Sequence, residues 1–547
     1  MGAGGLGHLV VVVPGFGGSV LRTADGTAGW GPAFGDIARA MIWADPLSVT
    51  DGPGVAVTGV VRTATVVPPF VLPGYDRLVG RIKDGYPRIR VDEVLPGRPR
   101  DLNADVVLFP YDFRHGVRAA ALALQAEIEQ RLRGVSRRDR SRRVIVIGHS
   151  MGGLVARYWL GPLGGAADCR ALITLATPHR GVPKALDWLV NGVHIGRLRL
   201  RSMTEVSRNW QGVYDLLPVY PAILPDRADR PDRPECPDRP DSADWADRPD
   251  RALGPGSVSR PFGTGPHAPG TRPHQARGPI GPLDIGDIAA AGFLERAAAA
   301  SDMHAEIDAA WGELAGRGEA PALAAVFARG HATPSRMVLA DGKLRITRTD
   351  PEWLPHAGWR GDGTVPAFSA VPPGLEPGSP ALRQVSERHL PMAGTAVVTD
   401  LLRAYDAMAP QAATGPEPAS PAGPEAASWR EAASSREALS WREAASWREA
   451  GSSWLGVGFD DVVLAGDPVT IVAEVLGAPA DEGTRMWVRV AGAGRASSLR
   501  CERDGRQWRV ELPGQRAGAY SITVSAAQVP GAGQLRSRGL LGVVALP

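Results

Sequence analysis

The chain has 547 residues, enough for two domains joined by linkers, and an apolar share of 44% that can build a sizeable core. Its formal net charge of +3 is small for this length, which excludes a nucleic-acid partner held by bulk positive charge. The 67 glycines and 49 prolines indicate many loops and some unstructured sequence.

Targeting and redox signals are weak. The cysteines Cys169, Cys236 and Cys501 lie far apart and form neither a disulfide framework nor a metal-ligand cluster, which is typical of a reducing compartment. Residues 1–8 lack a basic leader region, and no stretch approaches the roughly 18 apolar residues that span a bilayer. We therefore expect a cytoplasmic protein, and the bias toward Arg, Ala, Gly and Pro is typical of a GC-rich bacterial genome.

The first 220 residues alternate short apolar runs with amphipathic stretches. The pattern predicts strands and helices in the order Leu9–Val13 (strand), Tyr75–Lys83 (helix), Asp105–Phe109 (strand), Gly116–Arg133 (helix), Val144–Ile147 (strand), Leu154–Leu160 (helix) and Ala171–Leu175 (strand). Strands that alternate with helices favour an α/β fold, a doubly wound and mostly parallel sheet with helices on both faces.

The alternation stops after Pro225. An Asp-Arg-Pro-rich segment with almost no apolar residues predicts a disordered insertion at 225–282. Order is expected to return with a helix over Ile285–Gly316, a strand over Leu323–Ala328, a hairpin over Met337–Arg348 and a helix over Met392–Met408. We predict a catalytic domain at 1–410.

The C-terminal part differs in composition. Residues 411–453 carry a six-residue Ser-Trp-Arg-Glu-Ala repeat whose tryptophans would spiral around a helix rather than align, so we interpret the segment as a low-complexity linker. From 454 to 547, short alternating strands separated by turn residues predict an all-β sandwich of Ig-like size. No residue cluster there indicates which partner, if any, this domain binds.

The strongest chemical signal is Gly148-His149-Ser150-Met151-Gly152. A buried strand leads into this G-x-S-x-G turn and a helix follows, a context that lifts the serine above a sheet and places it at a helix N-terminus. The two glycines carry no Cβ that would clash where the strand and helix meet. The pattern predicts that Ser150 is a nucleophile.

A nucleophilic serine needs a base oriented by a carboxylate, expected in the chain order Ser, acid, His. Among eleven histidines, His389 lies in a loop before the last predicted helix of the first domain, whereas His149 is next to the nucleophile and is expected to point elsewhere. For the acid, Asp362 stands between two glycines in a turn. Asp341 and Asp350 are the alternatives, and Asp341 is typical of a hairpin turn.

An oxyanion hole needs one backbone N–H after the nucleophile and one from the loop after an early strand. Met151 provides the first, and Phe16 in the loop 13–19 is the expected second donor. The glycine-rich loop lacks the Gly-Lys-Ser/Thr of a P-loop, which argues against nucleotide binding.

Several motifs occur together in a family-specific order. They are Val13-Pro-Gly-Phe-Gly-Gly-Ser19, Phe109-Pro-Tyr-Asp-Phe-Arg114, Gly148-His-Ser-Met-Gly-Gly-Leu154, Ala176-Thr-Pro-His-Arg-Gly181, Tyr214-Asp-Leu-Leu-Pro218, Gly361-Asp-Gly-Thr-Val-Pro366 and Glu387-Arg-His389. Over residues 8–408, apart from the insertion, the chain resembles the lecithin:cholesterol acyltransferase-like family of α/β-hydrolases. The resemblance implies Ser150, Asp362 and His389 as nucleophile, acid and base. It also implies Phe16 and Met151 as the oxyanion hole, and a cap between the first strand and Tyr75 over the acyl pocket.

Together these features predict a serine acyl-ester hydrolase or O-acyltransferase that acts on lipid-like esters through an acyl-serine intermediate. The chemistry requires no metal and no organic cofactor, and a lipid-like substrate would bring the cap into peripheral contact with a membrane. The cap residues 30–73 align with no known member, so the acyl acceptor stays open. The alternative is a catalytically degenerate hydrolase fold that serves as a scaffold or binding protein.

Overall fold

The structure is a computed structural model. It describes residues 6–133, 143–225, 292–407 and 453–545, apart from short gaps at 25, 27, 32–35, 37–38, 41, 51–53, 62, 68–69, 74, 196–197, 221, 341–342, 349–359, 376–378, 478–482 and 493–494. The predicted insertion (225–282) and linker (411–453) lie outside the described residues except for one residue each. The division into domains at 410 and 454 therefore stays a prediction.

The N-terminal part contains seventeen strands among its described residues. They are β1 (Leu9–Val13), β2 (Ser19–Thr23), β3 (Ala28–Trp30), β4 (Val55–Val60), β5 (Thr63–Val67), β6 (Phe70–Pro73), β7 (Val91–Glu93), β8 (Val106–Leu108), β9 (Val144–His149), β10 (Cys169–Leu175), β11 (His194–Ile195), β12 (Leu198–Arg199), β13 (Ile223–Pro225), β14 (Ala322–Ala328), β15 (Arg336–Ala340), β16 (Lys343–Thr347) and β17 (Leu382–Val385).

Helices connect these strands. The α-helices are α1 (Tyr75–Gly85), α2 (Gly116–Arg131), α3 (Met151–Leu160), α4 (Pro183–Asn191), α5 (Arg201–Ser207), α6 (Gln211–Tyr214), α7 (Phe293–Gly316), α8 (Ala367–Ala370) and α9 (Ala396–Ala407). Short 3-10 helices cover Asp45–Leu47, Phe113–His115, Gly165–Asp168 and Leu390–Gly394.

The central sheet has seven strands in the order β17-β14-β10-β9-β1-β8-β7, and every neighbouring pair is parallel. Its central strands β1, β9 and β10 are buried on both faces, which is why they are continuous apolar runs rather than alternating ones. In β1, Val11 and Val13 belong to one core, with α2, α3 and α7. Val10 and Val12 belong to the opposite core, with α1 and α9. The predicted α/β fold with helices on both faces is confirmed.

Parallel strands end at the same edge of the sheet, so the loops that follow them meet there. The loops after β1, β9, β10, β14 and β17 carry Gly15, Ser150, Thr177, His331 and His389. This edge positions the candidate site.

The cap region contributes a small antiparallel sheet. Strands β3, β2 and β4 pair in that order, and β5 and β6 form a separate hairpin. The predicted 337–348 hairpin is present as antiparallel β15 and β16, whose turn residues 341–342 lie outside the described part.

One prediction is wrong. A single helix over Met392–Met408 is not formed, because a 3-10 helix at Leu390–Gly394 is separated from α9 by Thr395 in an extended conformation (ψ 151°). Gly394 packs against the Arg77 side chain, where a Cβ would lie 2.6 Å from Arg77 Cδ. Gly394 lets α1 pack closely at this break, and glycine itself disfavours a continuous helix.

The C-terminal part, called here the β domain, contains two sheets. Its strands are β18 (Trp454–Gly458), β19 (Val462–Leu464), β20 (Val469–Leu476), β21 (Arg485–Gly492), β22 (Arg495–Arg500), β23 (Glu502–Asp504), β24 (Gln507–Leu512), β25 (Gly518–Val529) and β26 (Gly533–Val544). The sheets have the orders β18-β20-β24-β23 and β19-β26-β25-β21-β22, and all pairs except β19–β26 are antiparallel. Inward residues of both sheets share one core. The finer Ig-like assignment stays a prediction.

No helix in the described residues has the length and apolar character needed to cross a membrane. Cys169 and Cys501 are buried free thiols, and Cys236 lies outside the described residues.

Candidate active site

Ser150 lies in a strained turn between β9 and α3. Its φ of 52° is unusual for a residue with a side chain and costs of the order of 1–3 kcal/mol. Such strain is expected where a strand-to-helix turn presents a nucleophile. A Cβ on Gly148 would lie 2.6 Å from Gly153 Cα, and a Cβ on Gly152 would collide with the Val13 and Pro14 carbonyl oxygens. Glycine at 148 and 152 is therefore a requirement of this close packing.

The three residues predicted to act together lie in one hydrogen-bonded chain. His389 Nε2 is 3.1 Å from Ser150 Oγ, and His389 Nδ1 is 2.8 Å from Asp362 Oδ2. All three are at most 9% exposed. The alternative acids Asp341 and Asp350 lie outside the described residues.

The Asp362 carboxylate is stabilised in its ionised form. Burial would raise its pKa, but the charge of His389, their hydrogen bond, and the backbone N–H groups of Val365 and Thr364 together hold the pKa below its ordinary value. An ionised carboxylate accepts a hydrogen bond from a protonated Nδ1 of His389. The unprotonated Nε2 can then accept the hydrogen bond of the Ser150 hydroxyl.

The glycine-rich loop after β1 lies directly against this serine. A Cβ on Gly15 would be 2.8 Å from Ser150 Cβ. The loop is held by the Tyr111 hydroxyl, which donates to the Pro14 carbonyl (2.8 Å), and by the Trp30 indole, which donates to the Gly17 carbonyl (2.8 Å). Phe16, the expected oxyanion donor, therefore lies between two hydrogen-bonded residues of a loop that contacts Ser150.

Met151, the other expected donor, is the first residue of α3 and is fully buried. The first N–H groups of a helix have no acceptor within it and carry partial positive charge. The structure places the loop after β1 against Ser150 and against Gly152, the two neighbours of Met151.

Sequence reasoning dismissed His149, but the structure gives it a position in the site. The Tyr75 hydroxyl accepts from the Gly15 N–H (2.8 Å) and lies 2.9 Å from His149 Nδ1, while His149 Nε2 is 3.3 Å from the His389 carbonyl oxygen. Burial, and then the nearby His389, lower the pKa of His149 to about 3, so its ring is neutral. The only sequence signal was its place inside the Gly148–Gly152 turn.

The Thr177–Gly181 segment after β10 braces the helix that follows the Asp362 turn. The His179 N–H donates to the Ser369 carbonyl (2.8 Å), the Ser369 hydroxyl donates to the Gly181 carbonyl (2.6 Å), and Arg180 donates to the Phe368 carbonyl (2.9 Å). This motif therefore acts on the acid turn through α8.

An aromatic cluster begins one residue beyond Gly15. The Phe16 ring lies 4.8 Å from that of Phe113, 6.1 Å from Trp210 and 6.2 Å from Trp188. Phe16 and Trp188 are partly exposed, so their rings form an accessible apolar surface beside the loop that contacts Ser150.

In the residues that the structure covers, no group of three or more His, Cys, Asp or Glu side chains is placed to hold a metal ion. With this geometry in hand, comparisons with known proteins bear on the fold.

Residues 118–198 match the PGAP1-like alpha/beta domain. That family has the α/β-hydrolase fold, and the match suggests a lipid-related enzyme of the hydrolase type. The PGAP1-like range contains Ser150 and Met151 and ends before Asp362 and His389. The match supports the expected α/β-hydrolase fold over these residues, whereas the specific lecithin:cholesterol acyltransferase-like family stays a prediction.

No curated protein has a sequence that matches this chain. Similar solved structures include a cycloalternan-degrading enzyme from Trueperella pyogenes, at 18% identity and a TM-score of 0.13, covering 14% of this chain and 11% of that one. A superoxide reductase (neelaredoxin) from Ignicoccus hospitalis has 13% identity and a TM-score of 0.14, covering 16% of this chain and 80% of that one. A CARDB domain from Pyrococcus furiosus has 13% identity and a TM-score of 0.13, covering 17% and 94%. At TM-scores this low, these likenesses carry no argument about fold or function.

Proposed function

We propose that the chain is a serine acyl-ester hydrolase or O-acyltransferase that acts on lipid-like esters through an acyl-serine intermediate. The observation that carries the proposal is the continuous chain from Ser150 Oγ through the His389 ring to Asp362, at 3.1 and 2.8 Å. A base between a hydroxyl and a buried carboxylate is the arrangement that activates a serine for acyl transfer.

In this mechanism, His389 Nε2 takes the Ser150 proton as Oγ attacks the ester carbonyl. The developing oxyanion receives hydrogen bonds from the N–H groups of Phe16 and Met151. Protonated His389 is stabilised by ionised Asp362 and returns its proton to the leaving alcohol. Water or a second alcohol, deprotonated by the same ring, then attacks the acyl-serine and releases Ser150.

Two features favour an apolar acyl group. The partly exposed Phe16 and Trp188 rings stand beside the nucleophile loop, and burying an acyl chain against them contributes about 0.8 kcal/mol per methylene. The PGAP1-like match points to lipid-related chemistry as well. Trp43 of the cap is 51% exposed, which suits the proposed peripheral contact of the cap with a membrane.

The test is hydrolysis of 4-nitrophenyl esters of increasing acyl length by wild type and by Ser150→Ala. We expect kcat/KM to rise with chain length and to fall by roughly 10⁴-fold or more in the variant. Adding a long-chain alcohol and analysing the products separates transfer from hydrolysis. Hydrolysis that Ser150→Ala does not reduce would contradict the proposal and leave the scaffold alternative.

A further inference from the structure

The residue before the proposed base is anchored in the β domain. Arg388 is 3% exposed, and its guanidinium donates to the Val457 carbonyl (3.1 Å), the Phe459 carbonyl (3.3 Å) and the Asp461 carboxylate (2.6 Å). It also lies over the Phe459 ring, 4.2 Å from the centroid. The Arg388 guanidinium therefore has three hydrogen-bond acceptors in the β domain.

The backbone of the same loop is fixed from the same direction. The Arg388 N–H donates to the Arg538 carbonyl (3.0 Å), and the Ser537 hydroxyl donates to the Ser386 carbonyl (2.9 Å). Gly539 permits this approach, because a Cβ there would lie 2.6 Å from Arg388 Cδ. Strand β26 thus braces the residues immediately before His389.

The acid turn touches this anchor too. Gly363 has a φ of 97°, and a Cβ on it would lie 2.6 Å from Arg388 Nη2, so the guanidinium packs directly against the turn that carries Asp362. The Gly363 N–H donates to Thr333 Oγ1 (2.8 Å), and Thr333 donates to the His331 carbonyl (2.8 Å).

His331 completes a second link to the β domain. Its ring Nδ1 accepts a hydrogen bond from the Val457 N–H (3.1 Å), and its backbone N–H donates to the Gly361 carbonyl (3.1 Å). The Val457 N–H therefore donates to His331, which contacts the turn of Asp362. The Val457 carbonyl accepts from Arg388, the residue before His389.

We propose that Arg388 is a positioning residue through which the β domain aligns His389 and Asp362. The proposal rests on the proposed function of Ser150. A displacement of about 1 Å in a reacting group lowers a rate by as much as about 100-fold. Because the β domain contacts the loop of His389, we expect turnover to depend on that domain.

Simple domain adhesion would give a different result, and the interface offers a matched control. Arg348 and Asp460 also pair across it, at 3.0 Å, but their side chains are 53% and 64% exposed and bond to each other rather than to the Asp362 or His389 side chains. Exposed pairs contribute little to stability.

The experiment measures ester hydrolysis by the full chain for Arg388→Met, Arg388→Lys and Asp461→Asn, with Arg348→Ala as control and thermal unfolding to verify folding. We expect Arg388→Met to lower kcat by about 10- to 100-fold with KM changed by less than about 2-fold. Arg388→Lys is expected to lose less kcat than Arg388→Met, because Lys keeps the positive charge but not the planar set of N–H donors. Arg348→Ala leaves kcat unchanged, and Asp461→Asn gives a smaller loss should Arg388→Met not fold.

A second readout does not depend on turnover. The deshielded proton on His389 Nδ1, observed by NMR at low temperature, is expected to shift or broaden in the Arg388 and Asp461 variants and not in Arg348→Ala. Unchanged kcat and an unchanged resonance in folded Arg388 and Asp461 variants would overturn the positioning role. Wild type that shows this resonance but no Ser150-dependent hydrolysis would instead overturn the proposed function alone.

Discussion

The two halves of the candidate site are built in different ways. The nucleophile half, residues 13–18 and 148–153, is made by adjacent parallel strands whose glycines allow close backbone contact, as where Gly15 meets Ser150. In the acid–base half, residues 361–366 and 386–389, Ser386 and Arg388 form hydrogen bonds with the β domain, and the 361–366 turn packs against Arg388. Glycine spacing and the pairing of adjacent parallel strands define the first half, and contacts with the β domain support the second.

The largest expected effect comes from the acid–base half. His389→Ala removes the base, and we expect kcat/KM to fall by roughly 10⁴-fold, with a similar loss in Asp362→Asn because the amide no longer fixes the required tautomer. Steady-state hydrolysis of an activated ester measures both. His194→Ala, which alters an exposed histidine, is the control. Comparable activity in His389→Ala and in the control would break the assignment of the base.

Two buried carboxylates, Asp362 in the candidate site and Asp215 outside it, differ in the direction of their pKa shifts. Asp215 is 2% exposed and accepts from the Val117 N–H (2.6 Å) and the Gln211 amide (2.9 Å). It stabilises the start of α2, and the charge of Arg118 offsets only part of the effect of burial. Burial therefore raises the pKa of Asp215 to about 6, whereas Asp362 beside His389 has a lowered pKa.

A raised pKa makes the folded state bind more protons than the unfolded state between the ordinary value of 3.8 and about 6, so this group's contribution to stability falls as pH rises through that window. Asp215→Asn removes the effect. We expect it to match wild type near the lower end and to be about 3 kcal/mol more stable at neutral pH. Urea unfolding across the window tests this, and curves that stay parallel would refute it.

The nucleophile half predicts a steric penalty. Gly152→Ala places a methyl group against the Val13 and Pro14 carbonyls, which belong to rigid backbone, and we expect it to destabilise the protein by about 1–3 kcal/mol. Gly312→Ala in α7 meets nothing within 4 Å and is expected to stabilise by about 0.5–1 kcal/mol. Chemical denaturation of the pair measures both signs. Equal stabilities would show that the strand and helix do not approach closely.

The smallest effect concerns the Tyr75 hydroxyl, which joins the two segments of the nucleophile half. Tyr75→Phe deprives the Gly15 N–H and His149 of their shared partner, which we expect to lower kcat about 10-fold, the size of one lost buried hydrogen bond. Tyr86→Phe removes a longer, 3.4 Å bond to Asp406 away from the site and serves as the control. A loss of the same size in both variants would mean that the Tyr75 hydroxyl has no specific role.

This difference also explains what the sequence could predict. The strands Leu9–Val13 and Cys169–Leu175 and the turn at Ser150 follow from local apolar runs and glycine spacing, and their predicted positions are close to those observed. Asp362 and His389 are predicted from chain order, from the loops in which they lie and from the family resemblance. The contacts of Arg388 with Asp461, and of His331 with Val457, join residues 73 and 126 positions apart, and no local pattern encodes them. The break between the 3-10 helix and α9 occurs at Thr395, directly after Gly394, a weak helix former that packs against Arg77.

The most direct test of the central claim is covalent capture of the nucleophile. A fluorophosphonate probe is added to the full chain, and the modified peptide is located by mass spectrometry in wild type, His389→Ala and Ser150→Ala. We expect one adduct on Ser150 in wild type, much slower labelling in His389→Ala and none in Ser150→Ala. No adduct on Ser150 in folded wild type, or labelling at the same rate without His389, would contradict the claim.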